Sequence, residues 1–284
     1  MKPLDQLSLG WRTELIFARF DAEVIARPDC VVVRTAHNPT FWWGNFLLFD
    51  HAPAPGEAAR WLASFETEIA CRQPESRHIA FGVDTEEPFE LPDELLRAGF
   101  SRHAGTVLTM RRDGLRPPPV ALAGGFRMAT LDLPAQAGAA VEQQVAADAG
   151  EHQPVSAYRV FRERQMQRYA AMQRAGLGHW FGVFALTAQG EQLVAGCGLF
   201  RDGPGAQALG RFQFVSTHPA WRRRGLCRAL IHAVCRHGFD AMKLGTLVIV
   251  ADPDDVAIGL YESLGFRRGA TTWQIERRPD AASC

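Results

Sequence analysis

Three consecutive arginines, Arg222-Arg223-Arg224, stand directly before Gly225 and the sequence Leu226-Cys227-Arg228. An apolar stretch from Phe212 to Thr217 precedes them and breaks at Pro219. An amphipathic pattern follows, with Leu226, Leu230, Ile231, Val234 and Cys235 on one face. Strand, basic glycine-containing turn and helix start together make a phosphate-binding layout. The first N–H groups of a helix have no internal partner, and the helix dipole puts partial positive charge there. Arginine forks add full charges matched to the oxygens of a pyrophosphate. Downstream, Tyr261 sits with Val256, Ala257, Leu260 and Leu264 at helical spacing, followed by Gly265-Phe266. A tyrosine there is either a core side chain or a proton donor.

The elements that must position these residues read as an α/β pattern. Phe126 to Ala129 is a strand, residues 135–149 and 155–175 are helices, and residues 179–186 and 192–200 are strands about a turn. The strand before the arginines runs from about Gln207 to Thr217, then come a helix from Leu226 to Phe239, a strand from Gly245 to Ala251, a helix from Pro253 to Leu264 and a last strand from Ala270 to Ile275. The order β, α, α, β, β, β, α, β, α, β implies a mixed sheet with helices.

In the first half, residues 10–26 fit a helix or a strand pair equally. Residues 30–34, 41–49, 78–83 and 100–110 read as strands, with Gly44 marking a bulge in the second; residues 57–71 and 92–98 read as helices. The stretch Gly114 to Gly125 holds three consecutive prolines, which fit neither a helix interior nor a central strand, so the domain boundary is placed there.

The chain has 284 residues, 47% hydrophobic and 22% charged, with formal net charge +0. That suits one large folded domain or two ordinary ones. A large nucleic-acid footprint would bring basic excess, and here the basic density is local. No signal-peptide pattern or bilayer-length apolar run is present. The six cysteines form no Cys-x-x-Cys and no zinc-ligand spacing with histidines, so free thiols, a cytoplasmic setting and no metal are expected.

The pattern Arg222-x-x-Gly225-x-Cys227 resembles the coenzyme A signature of the GNAT N-acyltransferases, Gln/Arg-x-x-Gly-x-Gly/Ala, departing from it at Cys227. The stretch Asp254-x-x-Ala257-x-x-Leu260-Tyr261-x-x-x-Gly265-Phe266 is similar to that family's second motif, with Asp254 where asparagine is usual. The resemblance covers roughly Phe126 to Arg277. A fainter echo lies in the first half: His78 to Val83 and then Gly99-Phe100 parallel Thr246 to Ala251 and then Gly265-Phe266, and Phe46 to His51 parallels Phe214 to His218. The loop from Asp50 to Ala59 carries no arginine, and another residue takes the tyrosine position before Gly99. The expected fold is therefore two tandem GNAT-like domains, each a mixed, mostly antiparallel sheet flanked by helices. Residues 1–113 form a degenerate domain that does not bind coenzyme A, residues 114–125 a linker, and residues 126–284 the acyltransferase domain.

The resemblance implies transfer of an acetyl or short acyl group from acetyl-CoA to a primary amine by direct attack. It assigns cofactor binding to Val215, Ser216 and Thr217 on the strand, to Arg222, Arg223, Arg224, Gly225, Leu226, Cys227 and Arg228 in the turn and helix start, and to Tyr261. Thr217 would offer its amide to the thioester. Tyr261 would be the general acid toward the thiolate, since a phenol titrates near that range. Asp254 either bonds near the cofactor or caps its helix. No base is evident on the strand, where Arg211, Gln213 and Ser216 stand; Glu151, beside His152, is the carboxylate of the loop that lines the acceptor site in the family, and an ordinary solvated loop is the alternative. His218 reads as structural. Phe41-Trp42-Trp43 reads as core, or as lining for the acceptor. The expected partner is a small-molecule or peptide amine, with no nucleic acid and no membrane, in a monomer or homodimer. The competing reading is a catalytically silent acyl-CoA-binding sensor or interaction module.

Overall fold

The computed structural model describes residues 1–118, 122–148, 155–188, 190–203 and 208–279. The chain divides into two compact units, Met1–Val107 with the segment from Gly269 onward, and Leu108–Arg268.

In the first unit, α1 (Leu9–Asp21) leads into β1 (Glu23–Ala26), which settles the undecided segment as one helix followed by one strand. Then come β2 (Val31–Arg34), β3 (Asn45–Phe49), α2 (Ala58–Phe65), β4 (Ile79–Val83), α3 (Asp93–Arg97) and β5 (Ser101–Met110). The strand expected over residues 41–49 begins only at Asn45, because residues 42–44 form a 3-10 turn. The Asn45 side-chain amide donates to the carbonyls of Asn38 and Phe41 and fixes that turn. Strands β2 and β3 pair antiparallel, and β3 and β4 pair parallel. Aromatic side chains fill the core: Trp61 stacks on Phe49 at 3.7 Å, with Phe81 edge-on to both.

The second unit runs β6 (Phe126–Thr130), α4 (Ala137–Ala147), α5 (Val155–Arg174), β7 (Gly178–Thr187), β8 (Gly190–Arg201), β9 (Leu209–Thr217), α6 (Leu226–Asp240), β10 (Thr246–Ala251) and α7 (Ala257–Ser263). With the last strand, β11 (Arg267–Arg277), this is the expected order. The sheet order is β10-β9-β8-β7-β6, antiparallel apart from the parallel pair β9 and β10. Leu226, Leu230, Ile231, Val234 and Cys235 are buried against this sheet, which is the face read from their spacing.

The division of the chain differs from the expected one in two places. Leu108 and Met110 pack into the core of the second unit, so that unit begins before the proline stretch. The last strand leaves it. Residues 273–277 of β11 pair antiparallel with residues 79–83 of β4, and Trp273 and Ile275 join the first unit's core. Sequence order assigned β11 to the domain that precedes it; from Gly269 onward it belongs to the other.

Candidate functional site

Strand β9 is irregular where the chemistry is expected. Against β8, Gly196 faces Ser216 and Gly198 faces Gln213, so Phe214 and Val215 share the single position opposite Cys197. This is a β-bulge, and Phe214 takes φ 40°, a left-handed value that is uncommon for a non-glycine residue. On its other side β9 pairs with β10 only through Leu209, Gly210 and Arg211. From Phe212 to Thr217 it has no partner in β10, and the two strands part.

A groove of about 930 Å³ opens there, lined on one wall by Phe214, Val215, Ser216 and Thr217 and on the other by Leu260 and Tyr261. The turn leading into α6 contributes Trp221, Arg222, Arg223, Gly225, Leu226, Cys227 and Arg228, but not Arg224. Arg223 at φ 62° and Gly225 at φ 76° curl this turn, a backbone form that gathers N–H groups into an anion-binding concavity. In α6 the first intrahelical bond is from the Ala229 N–H to the Gly225 carbonyl at 3.0 Å. The N–H groups of Leu226, Cys227 and Arg228 therefore have no partner inside the helix.

The arginines differ from one another. Arg222 donates from Nε to the Thr217 carbonyl at 3.2 Å and from Nη2 to the Ala147 carbonyl at 2.8 Å, latching the turn to the end of α4. Arg224 lies over the Trp221 ring at 4.7 Å. Arg228 lines the groove with its Nε buried and unpartnered. The His218 imidazole accepts the Ala220 N–H at 3.3 Å and caps the short turn at Pro219, consistent with a structural role.

Tyr261 lines the groove and is otherwise buried. Burial raises its phenol well above the ordinary value, and Cys227 and Asp255 push it in the same direction. Cys227 lines the groove half-buried, its thiol pushed up to about 12 by burial and then by Asp255, so it is a neutral side chain. Asp254 lines the groove, but the cap at the start of α7 is Asp255, whose Oδ1 accepts the Ala257 N–H at 2.8 Å. Glu151 and His152 lie outside the described residues. Of the remaining candidates, the structure brings Val215, Ser216, Thr217, Arg222, Arg223, Gly225 and Leu226 to this one groove. Asp148 also lines it and was not anticipated; a lone aspartate ending a helix carries no motif.

The first unit has the matching pieces, but its strands do not part. Its parallel pair stays closed: Leu47, Leu48 and Phe49 pair with Phe81, Gly82 and Val83, and the Asp84 N–H continues to the Phe49 carbonyl. Before α2, the Gly56 N–H donates to the Glu94 carboxylate at 2.6 Å and the Ala54 N–H to Glu57 at 3.0 Å. Two backbone donors of the loop entering α2 are thus taken by carboxylates.

Residues 147–266 match the family model for the acetyltransferase (GNAT) family. The second unit carries a GNAT domain. No curated protein matches the sequence. Among solved structures, a conserved protein of unknown function from Staphylococcus epidermidis ATCC 12228 is similar at 13% identity and TM-score 0.70, over 92% of this chain and 95% of that one. A GCN5-related N-acetyltransferase from Kribbella flavida is similar at 16% identity and TM-score 0.63, over 93% and 92%. A tandem GNAT protein from the clavulanic acid biosynthesis pathway is similar at 14% identity and TM-score 0.54, over 96% and 93%. The fold over the full chain is thus that of tandem GNAT proteins, and the groove lies inside the segment that matches the GNAT family.

Proposed function

We propose that the second unit transfers an acetyl or short acyl group from acetyl-CoA to a primary amine, and that the first unit binds no cofactor. The observation that carries this reading is the parting of β9 from β10 directly above the N-terminus of α6. The residues suit the cofactor: three N–H groups free of helix bonds, a left-handed turn at Gly225, and Arg223, Arg224 and Arg228 around it suit a pyrophosphate. The open edge of β9 over Val215 to Thr217 suits an extended amide-bearing arm. Acetyl-CoA, when bound, supplies a thioester whose carbon an amine can attack.

The chain's own groups do the rest. Strand N–H groups beside the bulge orient and polarise. Tyr261, kept protonated by burial, donates a hydrogen bond to developing negative charge on sulfur. Its raised pKa makes it a donor first, with full proton transfer following only as solvent resupplies the proton. Arg222 holds the turn in place rather than spending Nε and Nη2 on phosphate.

The test is calorimetric titration with acetyl-CoA, followed by thiol release over an amine panel. Replacing Arg223 and Arg224 together by glutamine should raise the acetyl-CoA Kd by about tenfold or more, since a charge-assisted bond is worth roughly 1.5–3 kcal/mol. Unchanged affinity removes the phosphate assignment. Tight binding with no turnover on any amine would instead support a silent acyl-CoA sensor, which the lack of a carboxylate on β9 favours. A cytoplasmic location goes with this reading; no helix among the described residues is long and apolar enough to cross a membrane.

A further inference from the structure

A carboxylate on the groove wall is held in a way that none of the expected site residues requires. Asp148 follows α4 and lines the groove together with Phe214 and Val215. Its Oδ2 accepts the Tyr158 hydroxyl and pairs with Arg162 Nη2 at 3.4 Å, both from α5. Arg162 spends its Nε on the Tyr158 oxygen at 2.7 Å, so the three side chains form one directed network. The Arg162 guanidinium lies 3.5 Å from the centre of the Phe214 ring, which places the carboxylate one side chain away from the bulge that opens β9. A second tether comes from the cofactor turn, where Arg222 Nη2 grips the carbonyl of Ala147, the residue before Asp148.

Both tethers leave one oxygen uncommitted. Asp148 Oδ1 makes no hydrogen bond among the described residues, and the side chain is half-buried. Guanidinium–carboxylate pairs are frequently bidentate, and this one is not. Here one oxygen is anchored and the other is uncommitted, in a residue that lines the groove. Its complement is a cationic N–H donor.

We propose that Asp148 is the catalytic carboxylate on the acceptor side: it holds the ammonium of a primary alkylamine through Oδ1 and takes its proton. The inference rests on the acetyl-transfer reading above. In the step, an N–H bond of the ammonium breaks, an O–H bond forms on Asp148, and the electron pair stays on nitrogen as the nucleophilic lone pair. The carboxylic acid then gives the proton to water, which regenerates the carboxylate. Tyr158 and Arg162 fix the carboxylate, and Arg222 is a positioning residue that joins it to the cofactor turn.

Asp148→Asn tests this with little change of shape, since the amide keeps an oxygen for Tyr158 and Arg162. The probes are n-butylamine, charged at pH 7, and methoxyamine, uncharged at pH 7. In calorimetry on the protein loaded with coenzyme A, the n-butylamine Kd should rise about tenfold. In turnover, kcat/KM for n-butylamine should fall roughly 10²-fold while methoxyamine loses about twofold or less. Equal losses on both probes, no loss on either, or a wild-type protein that acetylates neither probe overturns the inference. Failure of the wild type to bind acetyl-CoA overturns the parent reading with it and is seen separately, in the titration that precedes the probes.

Discussion

Tyr261 and Asp148 face the same groove with opposite preparation. Tyr261 is stripped of solvent until its phenol holds its proton, whereas Asp148 is fixed by a phenol and a guanidinium. One is suited to giving a hydrogen bond and the other to receiving one. Tyr261→Phe removes only the hydroxyl and should lower kcat by about 10²-fold. The acetyl-CoA Kd should stay within about twofold of the wild type, because the pyrophosphate contacts lie in the turn. Steady-state kinetics with a parallel binding titration separates the two quantities, and full activity would remove Tyr261 from the mechanism. The cysteine at the signature's last position fits the same picture: with its thiol near 12 it carries no charge that would oppose a phosphate.

Elements decide which of these residues meet. The arginine turn and the helix after it were legible from sequence because a glycine, a basic run and a 3.6-residue period coincide there. The bulge was not, since Phe214 at φ 40° looks in sequence like any other strand residue. Nor was the role of Arg222: its type suggests a phosphate ligand, but its reach brings two backbone carbonyls into range first. The Gly265-Phe266 signature has a packing cause. A Cβ at Gly265 would stand 1.9 Å from the Gly114 carbonyl oxygen, and its φ of 102° disfavours any side chain. Gly265→Ala should therefore cost about 2 kcal/mol or more, which corresponds to a drop in Tm of roughly 4–8 °C. A thermal melt unchanged within error would show that Gly114 moves aside freely.

On the scale of the whole molecule, the repeat was legible as matching strand–helix pieces. The closing strand escaped, because no local pattern says which sheet a strand will join. Ile275 is fully buried in the first unit's core, so Ile275→Ala should destabilise that unit by about 2–5 kcal/mol. Denaturant unfolding followed by a probe within the first unit measures it. Both units should also weaken in acid. Burial lowers the pKa of His78 in the first unit; in the second, burial lowers His179, with His237 adding to it, and burial lowers His237 itself. A lowered folded value means the unfolded chain takes up protons first. The stability these residues contribute is thus present above about pH 6.5 and lost as pH falls through their folded values. Calorimetric Tm at pH 7 and pH 5 should differ accordingly, and a flat profile would contradict it.

The pairing of β11 with β4 also sets an order of events during synthesis. Every residue of the second unit lies, in the chain, between β4 and the residues of β11 that pair with it. While the ribosome is making that unit, β4 has been made but its neighbour has not, so the nascent first unit carries an open strand edge. The half of the protein that is translated first is the half that is finished last, and until then the edge of β4 is where a chaperone, or another nascent chain, would find it.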